Sequence, residues 1–129
     1  MPIHKVLVVD DSKTELLFLT DLLQKNGFSV KTAENADDAM RRLEEERPDL
    51  ILMDVVMPGQ NGFQLTRAIA RNPQYANVPV VMLSSKDGVF DKARGRMVGS
   101  QDYLTKPFTK DQLLQAVQQF GIVQQKEAQ

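Results

Sequence analysis

A chain of 129 residues with 42% apolar and 26% charged side chains suits one domain with a real core and a solvated surface. Its formal net charge of −1 gives no global attraction to nucleic acid or to an anionic membrane. Cysteine is absent and His4 is the single histidine, which excludes disulfides, thiolate chemistry and multi-histidine metal centres.

Short apolar runs alternate with amphipathic stretches at the spacing of βα units. Lys5 to Val9 is the first strand, β-branched and nearly continuous, hence buried on both faces. A helix from Lys13 to Asn26 is stopped by Gly27. Phe28 to Thr32 is a second, weaker strand, and a helix from Ala36 to Glu46 ends before Pro48. Leu50 to Met53 is the third strand. The turn-rich segment 58–62 leads into a helix from Asn61 to Arg71. Pro79 to Leu83 is the fourth strand, Val89 to Val98 a short charged helix, and Asp102 to Leu104 a brief fifth strand. A last helix runs from Thr109, its N-cap, to Phe120, leaving a polar tail at Gln124 to Gln129. Five such units make an open α/β parallel sheet with helices on both faces; a barrel needs about eight. The start lacks a signal-peptide core and no apolar run approaches spanning length, so a cytoplasmic location is expected. Any output domain is expected on another polypeptide.

Open α/β sheets place their sites beyond the carboxyl ends of the strands. Asp10 and Asp11 follow the first strand, Asp54 the third, Ser84 and Ser85 the fourth, and Lys106 the fifth. Two unit charges about 4 Å apart repel by roughly 4 kcal/mol at an effective dielectric near 20. Three gathered carboxylates therefore need a cation or a proton. Oxygen-only ligands favour a hard ion, Mg²⁺ or Mn²⁺, over zinc. With a lysine and a hydroxyl added, the set can hold a phosphoryl group and offers a carboxylate nucleophile. Each piece alone has an ordinary reading: Asp10-Asp11 as a turn and cap, Asp54 as a turn former, Ser84-Ser85 as a cap, Lys106 as a solvated lysine. Their joint placement, each at its own strand end, carries the functional reading. Met53, Met82 and Met97 read as packing.

Four stretches carry a resemblance to a known family: 6–12 (Val6 to Ser12), 52–59 (Leu52 to Gly59), 81–85 (Val81 to Ser85) and 103–108 (Tyr103 to Phe108). Here the chain resembles the receiver domains of two-component response regulators, of the stand-alone, CheY-like kind. Residues 84–88 and 102–108 look most like the regulators of type IV pilus twitching motility. The resemblance spans about residues 4 to 120. It implies a doubly wound, flavodoxin-like sheet in the order 2-1-3-4-5, with the receiver over 1–122 and a polar tail over 123–129. It also implies roles. Asp54 is the phosphoacceptor. Asp10, Asp11, Asp54 and the backbone carbonyl of Val56 hold Mg²⁺ or Mn²⁺. Lys106 pairs with the phosphoryl oxygens, and Ser84 and Tyr103 are the switch hydroxyl and switch aromatic. The implied donor is a phosphohistidine on a histidine kinase or phosphotransfer domain. The implied output is a protein target on the face of the fourth helix, fifth strand and fifth helix, with no enzyme activity beyond the receiver's own phosphotransfer and dephosphorylation.

Two other classes share parts of this set. A Mg²⁺-dependent phosphohydrolase with an aspartyl-phosphate intermediate usually needs an acid two residues after its nucleophile, and Val56 stands there. A flavin carrier on the same sheet would meet repulsion between Asp10-Asp11 and the flavin phosphate, and the chain has no tryptophan. Direct DNA binding is not expected, because no helix-turn-helix segment follows. Two surface features complete the reading. Leu17 lies opposite the stripe of Leu16, Leu19, Leu22 and Leu23, as a candidate contact for the phosphodonor. Gly95 interrupts a fourth helix with few apolar anchors, a helix expected at the low-stability end of the fold.

Overall fold

Three strands of the sheet are buried almost from end to end and two are not, and strand order explains which. The computed structural model describes residues 4–55, 61–84 and 89–128, of which 89–92 and 121–128 contribute backbone only. Five parallel strands, β1 (Lys5–Val9), β2 (Ser29–Ala33), β3 (Leu50–Asp54), β4 (Val80–Ser84) and β5 (Asp102–Thr105), form one sheet in the order β2-β1-β3-β4-β5. The central β3 and β4 are buried throughout, and β1 everywhere but Lys5. The edge strands β2 and β5 are mostly half-buried. The weaker apolar run of β2 is therefore an edge sequence, as a parallel sheet covered on both faces requires.

The helices are α1 (Lys13–Lys25), α2 (Ala36–Glu45), α3 (Gly62–Arg71), α4 (Val89–Val98) and α5 (Lys110–Ala128). The period-2 alternation of the strands splits the core in two. Val6, Val8, Leu50, Leu52, Val81 and Leu83 pack with Leu16, Leu19, Leu22 and Leu23 of α1 and Leu113 and Val117 of α5. Leu7, Val9, Ile51, Met53, Val80 and Met82 pack on the other face with Ala39 and Leu43 of α2, Phe63, Leu65 and Ile69 of α3, and half-buried Val98 of α4.

Helix ends follow local chemistry. Ser12 caps α1, its hydroxyl accepting from the Glu15 N–H at 3.3 Å. Asn35 caps α2 in the same way. Asn61 and Gln64 form a reciprocal capping box at α3, both bonds 3.0 Å. At α5, Thr109 Oγ1 accepts from the Gln112 N–H at 3.1 Å and Gln112 Oε1 from the Thr109 N–H at 2.8 Å. Gly27, at φ 90°, ends the turn after α1 in a conformation that favours glycine.

Several boundaries differ from expectation, and three of them have a clear physical reason. β3 and β4 each run one residue further, taking in Asp54 and Ser84, because ladder pairing with a neighbour extends a strand past its apolar run. α5 continues beyond Phe120 to Ala128 where a tail was expected. After Gly121 the sequence holds good helix formers (Gln, Lys, Glu, Ala) and no proline, so nothing local stops it.

Candidate functional site

The carboxyl edge of the sheet gathers residues that lie far apart in the chain. β1 delivers Asp10, whose backbone N–H donates to the Ala33 carbonyl at 3.0 Å. β3 ends in Asp54, opposite Leu83 of β4. β4 ends in Ser84, opposite Thr105 of β5, and the Lys106 N–H donates to the Ser84 carbonyl at 2.8 Å. Asp10, Asp54 and Ser84 are all buried.

Alternation along the strands decides which way each side chain faces. Asp10 continues the series Val6-Val8, and Asp54 the series Leu50-Leu52, so both belong to the face covered by α1 and α5. Lys106 follows Thr105 and falls on that same face. Its Nζ lies 3.5 Å from Asp10 Oδ2 and 3.4 Å from Asp54 Oδ1. Ser84 continues the series Val80-Met82, on the opposite face, and Tyr103 pairs with Met82 there.

The two buried carboxylates are not alike. Asp10 Oδ1 accepts from the Ser12 N–H at 2.9 Å, whereas Asp10 Oδ2 is buried with no hydrogen-bond partner among the described residues. Burial raises the Asp10 pKa, opposed by the Ser12 N–H and by Lys106. For Asp54, burial and then the nearby Asp10 charge push the pKa up from 3.8 to about 6, against the pull of Lys106. Burial by itself would lower the Lys106 pKa, but Asp54 and Asp10 outweigh it and hold the ammonium above its ordinary value. Asp11 is exposed and contributes a further oxygen; one carboxylate oxygen each of Asp10, Asp11 and Asp54 lie within 4.8 Å of one another. An all-carboxylate set whose buried Asp10 Oδ2 has the Lys106 ion pair but no hydrogen bond fits a hard cation with oxygen ligands. The backbone carbonyl of Val56, expected as a further ligand, lies outside the described residues, as does Ser85.

Three residues shape the site without having been picked out by sequence reasoning in that role. Gly62, the first residue of α3, donates to the Val55 carbonyl at 2.7 Å. A Cβ there would overlap the Asp54 carbonyl oxygen and stand 2.8 Å from Val55 Cα, so only glycine lets α3 start against the Asp54 peptide. Its place in a turn-rich segment was visible, but the contact was not. Glu15, in the first turn of α1, adds negative potential at Asp10 and Lys106. Gly95, a helix weakener by its sequence, is buried, and a Cβ on it would stand 3.1 Å from both Tyr103 Cδ2 and Ser100 Oγ. The glycine is a packing surface for the Tyr103 ring. The exposed apolar residues of α1, Leu17 at 72% and Phe18 at 44%, lie on its outer side. Phe18 lines a cavity of about 510 Å³ with Thr14, Glu15, Lys106, Pro107 and Phe108.

The chain is similar to known proteins. A family model described as the response regulator receiver domain matches residues 6–118. Protein PilG of Pseudomonas aeruginosa is 48% identical over 113 residues, covering 88% of this chain and 84% of that protein. Protein PilH of the same organism is 43% identical over 113 residues, covering 88% of this chain and 93% of that protein. Among solved structures, the Vibrio cholerae chemotaxis protein CheY4 superposes with a TM-score of 0.87 at 34% identity, covering 92% of this chain and 98% of that one. With a family model matching most of its length and relatives at 48% and 43% identity, the chain belongs to the response regulator receiver domain family.

Proposed function

We propose that this receiver accepts a phosphoryl group on Asp54 from a phosphohistidine of a histidine kinase or phosphotransfer domain, and that the acyl phosphate changes a protein-interaction face. The observation that carries the reading is the cluster itself: Asp54 sits within one ion-pair distance of Lys106, beside Asp10 and Asp11. In the transfer, an Asp54 carboxylate oxygen forms a bond to phosphorus as the donor's N–P bond breaks, and the imidazole leaves with the electron pair and takes up a proton. The Lys106 ammonium is placed to pair with the phosphoryl oxygens, where charge develops.

Asp10, Asp11 and Asp54, with the Val56 carbonyl, are the residues that would hold Mg²⁺ or Mn²⁺. When bound, such an ion neutralises the cluster and favours the ionised form of Asp54. Without it, burial and Asp10 oppose the charged nucleophile. Ser84 is the switch hydroxyl and Tyr103 the switch aromatic. They share the sheet face next to α4, which makes the α4–β5–α5 side the output surface for a protein target. Phe18, which lines the cavity beside Lys106, and the exposed Leu17 on the same helix suit docking of the phosphodonor. Likeness to PilG and PilH supports a place in pilus-based twitching signalling in the cytoplasm, with chemistry confined to the receiver's own phosphorylation and dephosphorylation and no direct contact with nucleic acid.

Acetyl phosphate with Mg²⁺, followed by intact-mass and peptide mass spectrometry, tests the proposal. One added phosphoryl group is expected, mapped to Asp54 and absent without the metal. Labelling elsewhere, or none under any metal, would overturn it.

A further inference from the structure

In its C-terminal half, away from the Gly62 end that abuts Asp54, α3 meets α4 in a cleft of about 450 Å³. Its rim carries three arginines: Arg67 and Arg71, one turn apart on α3, and Arg94 on α4. Its apolar wall is Ala70, Met97 and Val98. All three arginines are exposed, and Met97, at 86%, is the most exposed large apolar side chain among the described residues.

Charge pairing sets this cleft apart from the basic residues around β2 and α2. There Lys5, Lys31 and Arg42 reach Glu45 or Glu46 at 3.3–3.9 Å, and Arg41 pairs with Asp38. Among the described residues, Arg67, Arg71, Arg94 and Arg96 form no ion pair. Arg71 and Arg96 stand in last turns, where a positive charge complements the helix dipole. That accounts for neither Arg67 nor Arg94. The Arg94 guanidinium is held over the Phe63 ring, 4.5 Å from its centroid, so one donor fork is already positioned. The helices also meet closely: a Cβ at Gly99 would stand 2.7 Å from Ala70 Cβ, so the cleft has a small-residue floor.

From this we infer that the α3–α4 cleft binds a small phosphorylated ligand with an apolar ring, of the nucleotide class. Guanidinium forks match phosphate oxygens in pairs. The cleft volume falls in the range of small-molecule sites, and Met97 and Val98 offer the ring an apolar wall. The site shares no residue with the Asp10–Asp11–Asp54 cluster and stands or falls apart from phosphorylation.

The test is a ¹⁵N-HSQC titration of the full chain with ATP in EDTA, so that no metal recruits phosphate to the acidic cluster. Saturable shifts are expected at 67–71 and 94–99, with weaker binding of pyrophosphate, which lacks the ring. Arg67→Glu/Arg94→Glu should bind ATP roughly tenfold more weakly. If that variant misfolds by circular dichroism, Arg67→Gln/Arg94→Gln replaces it with the same expectation. Four results would overturn the inference: no saturable shift, shifts centred on Asp10, Asp54 and Lys106, undiminished affinity in a folded variant, or hexaglutamate binding as tightly as ATP.

Discussion

The two faces of the sheet end differently at its carboxyl edge. On the face covered by α1 and α5 the edge ends in charge: Asp10 and Asp54 bridged by Lys106 at 3.4–3.5 Å. On the face covered by α3 and α4 it ends in Ser84, with Tyr103 alongside Met82 and Gly95 over the Tyr103 ring. Adjacent residues of one strand, Leu83 and Ser84, therefore serve opposite faces. Charge chemistry and the packing next to α4 sit back to back across a single sheet, so a substitution can reach one without entering the other. The two glycines of the α3–α4 face differ in tolerance: Gly62 is jammed against backbone, whereas Gly95 is close only to side chains.

The sharpest way to break the comparison is at its two strand ends. Asp54→Asn should abolish labelling by acetyl phosphate with Mg²⁺ while the fold persists. Ser84→Ala should still label, more slowly, but lose the change in α4 amide exchange that phosphorylation or beryllofluoride brings. Equal loss of labelling in both would mean that the faces do not divide the work.

The glycines come next in size. Gly62→Ala must displace backbone at Asp54 and Val55, and should cost about 3 kcal/mol in urea denaturation and slow labelling. Gly95→Ala gains up to about 1 kcal/mol of helix propensity but presses on Tyr103 and Ser100, so its net effect should stay within about 1 kcal/mol. Its mark should be a changed Tyr103 environment by NMR, and an unperturbed ring would show that Gly95 does not pack against Tyr103.

A pH series sharpens the charged half. The Asp54 pKa is raised in the folded chain, so its contribution favours the fold below 3.8 and is lost as the pH rises through about 6. In EDTA, Asp54→Asn should thus be the more stable protein above pH 6, by on the order of 1 kcal/mol, and lose that advantage near pH 4. Mg²⁺ at pH 7 should raise the melting temperature of the wild type more than that of the variant. Thermal melts from pH 4 to 8 provide the comparison.

The smallest expected effect concerns the two helices of the α3–α4 face. α3 has a capping box and buries Phe63, Leu65, Thr66 and Ile69. Of 93–98 in α4, only Gly95 is buried. Amide exchange should be faster in α4 than in α3, and slowed by beryllofluoride with Mg²⁺. Identical rates that ignore beryllofluoride would show that α4 does not respond.

Much of this architecture was legible in the residues. Apolar runs separated by amphipathic stretches report their own burial, because period and composition are local properties. The α1 stripe of Leu16, Leu19, Leu22 and Leu23 is buried as its spacing requires. The candidate site residues could be named because a parallel sheet puts every strand end on one edge. What lay beyond reach was contact between segments. Gly62 read as one more turn glycine, and its fit against the Asp54 carbonyl depends on where β3 ends relative to α3. Gly95 reads as a weak point in a helix and is a packing surface, because Met82 of β4 and Tyr103 of β5 lie against it.

The sequence by itself determined the βα period, the acidic and basic residues at the strand ends, and the need for a counter-charge among three carboxylates. Only the tertiary structure decided that Lys106 joins Asp10 and Asp54 on one face while Ser84 and Tyr103 take the other. It also decided that Arg67, Arg71 and Arg94 surround one cleft. The reason is physical. Which residues a segment carries is local, but which face a strand's last residue takes, and which helix lies across it, depends on register and packing between segments distant in sequence.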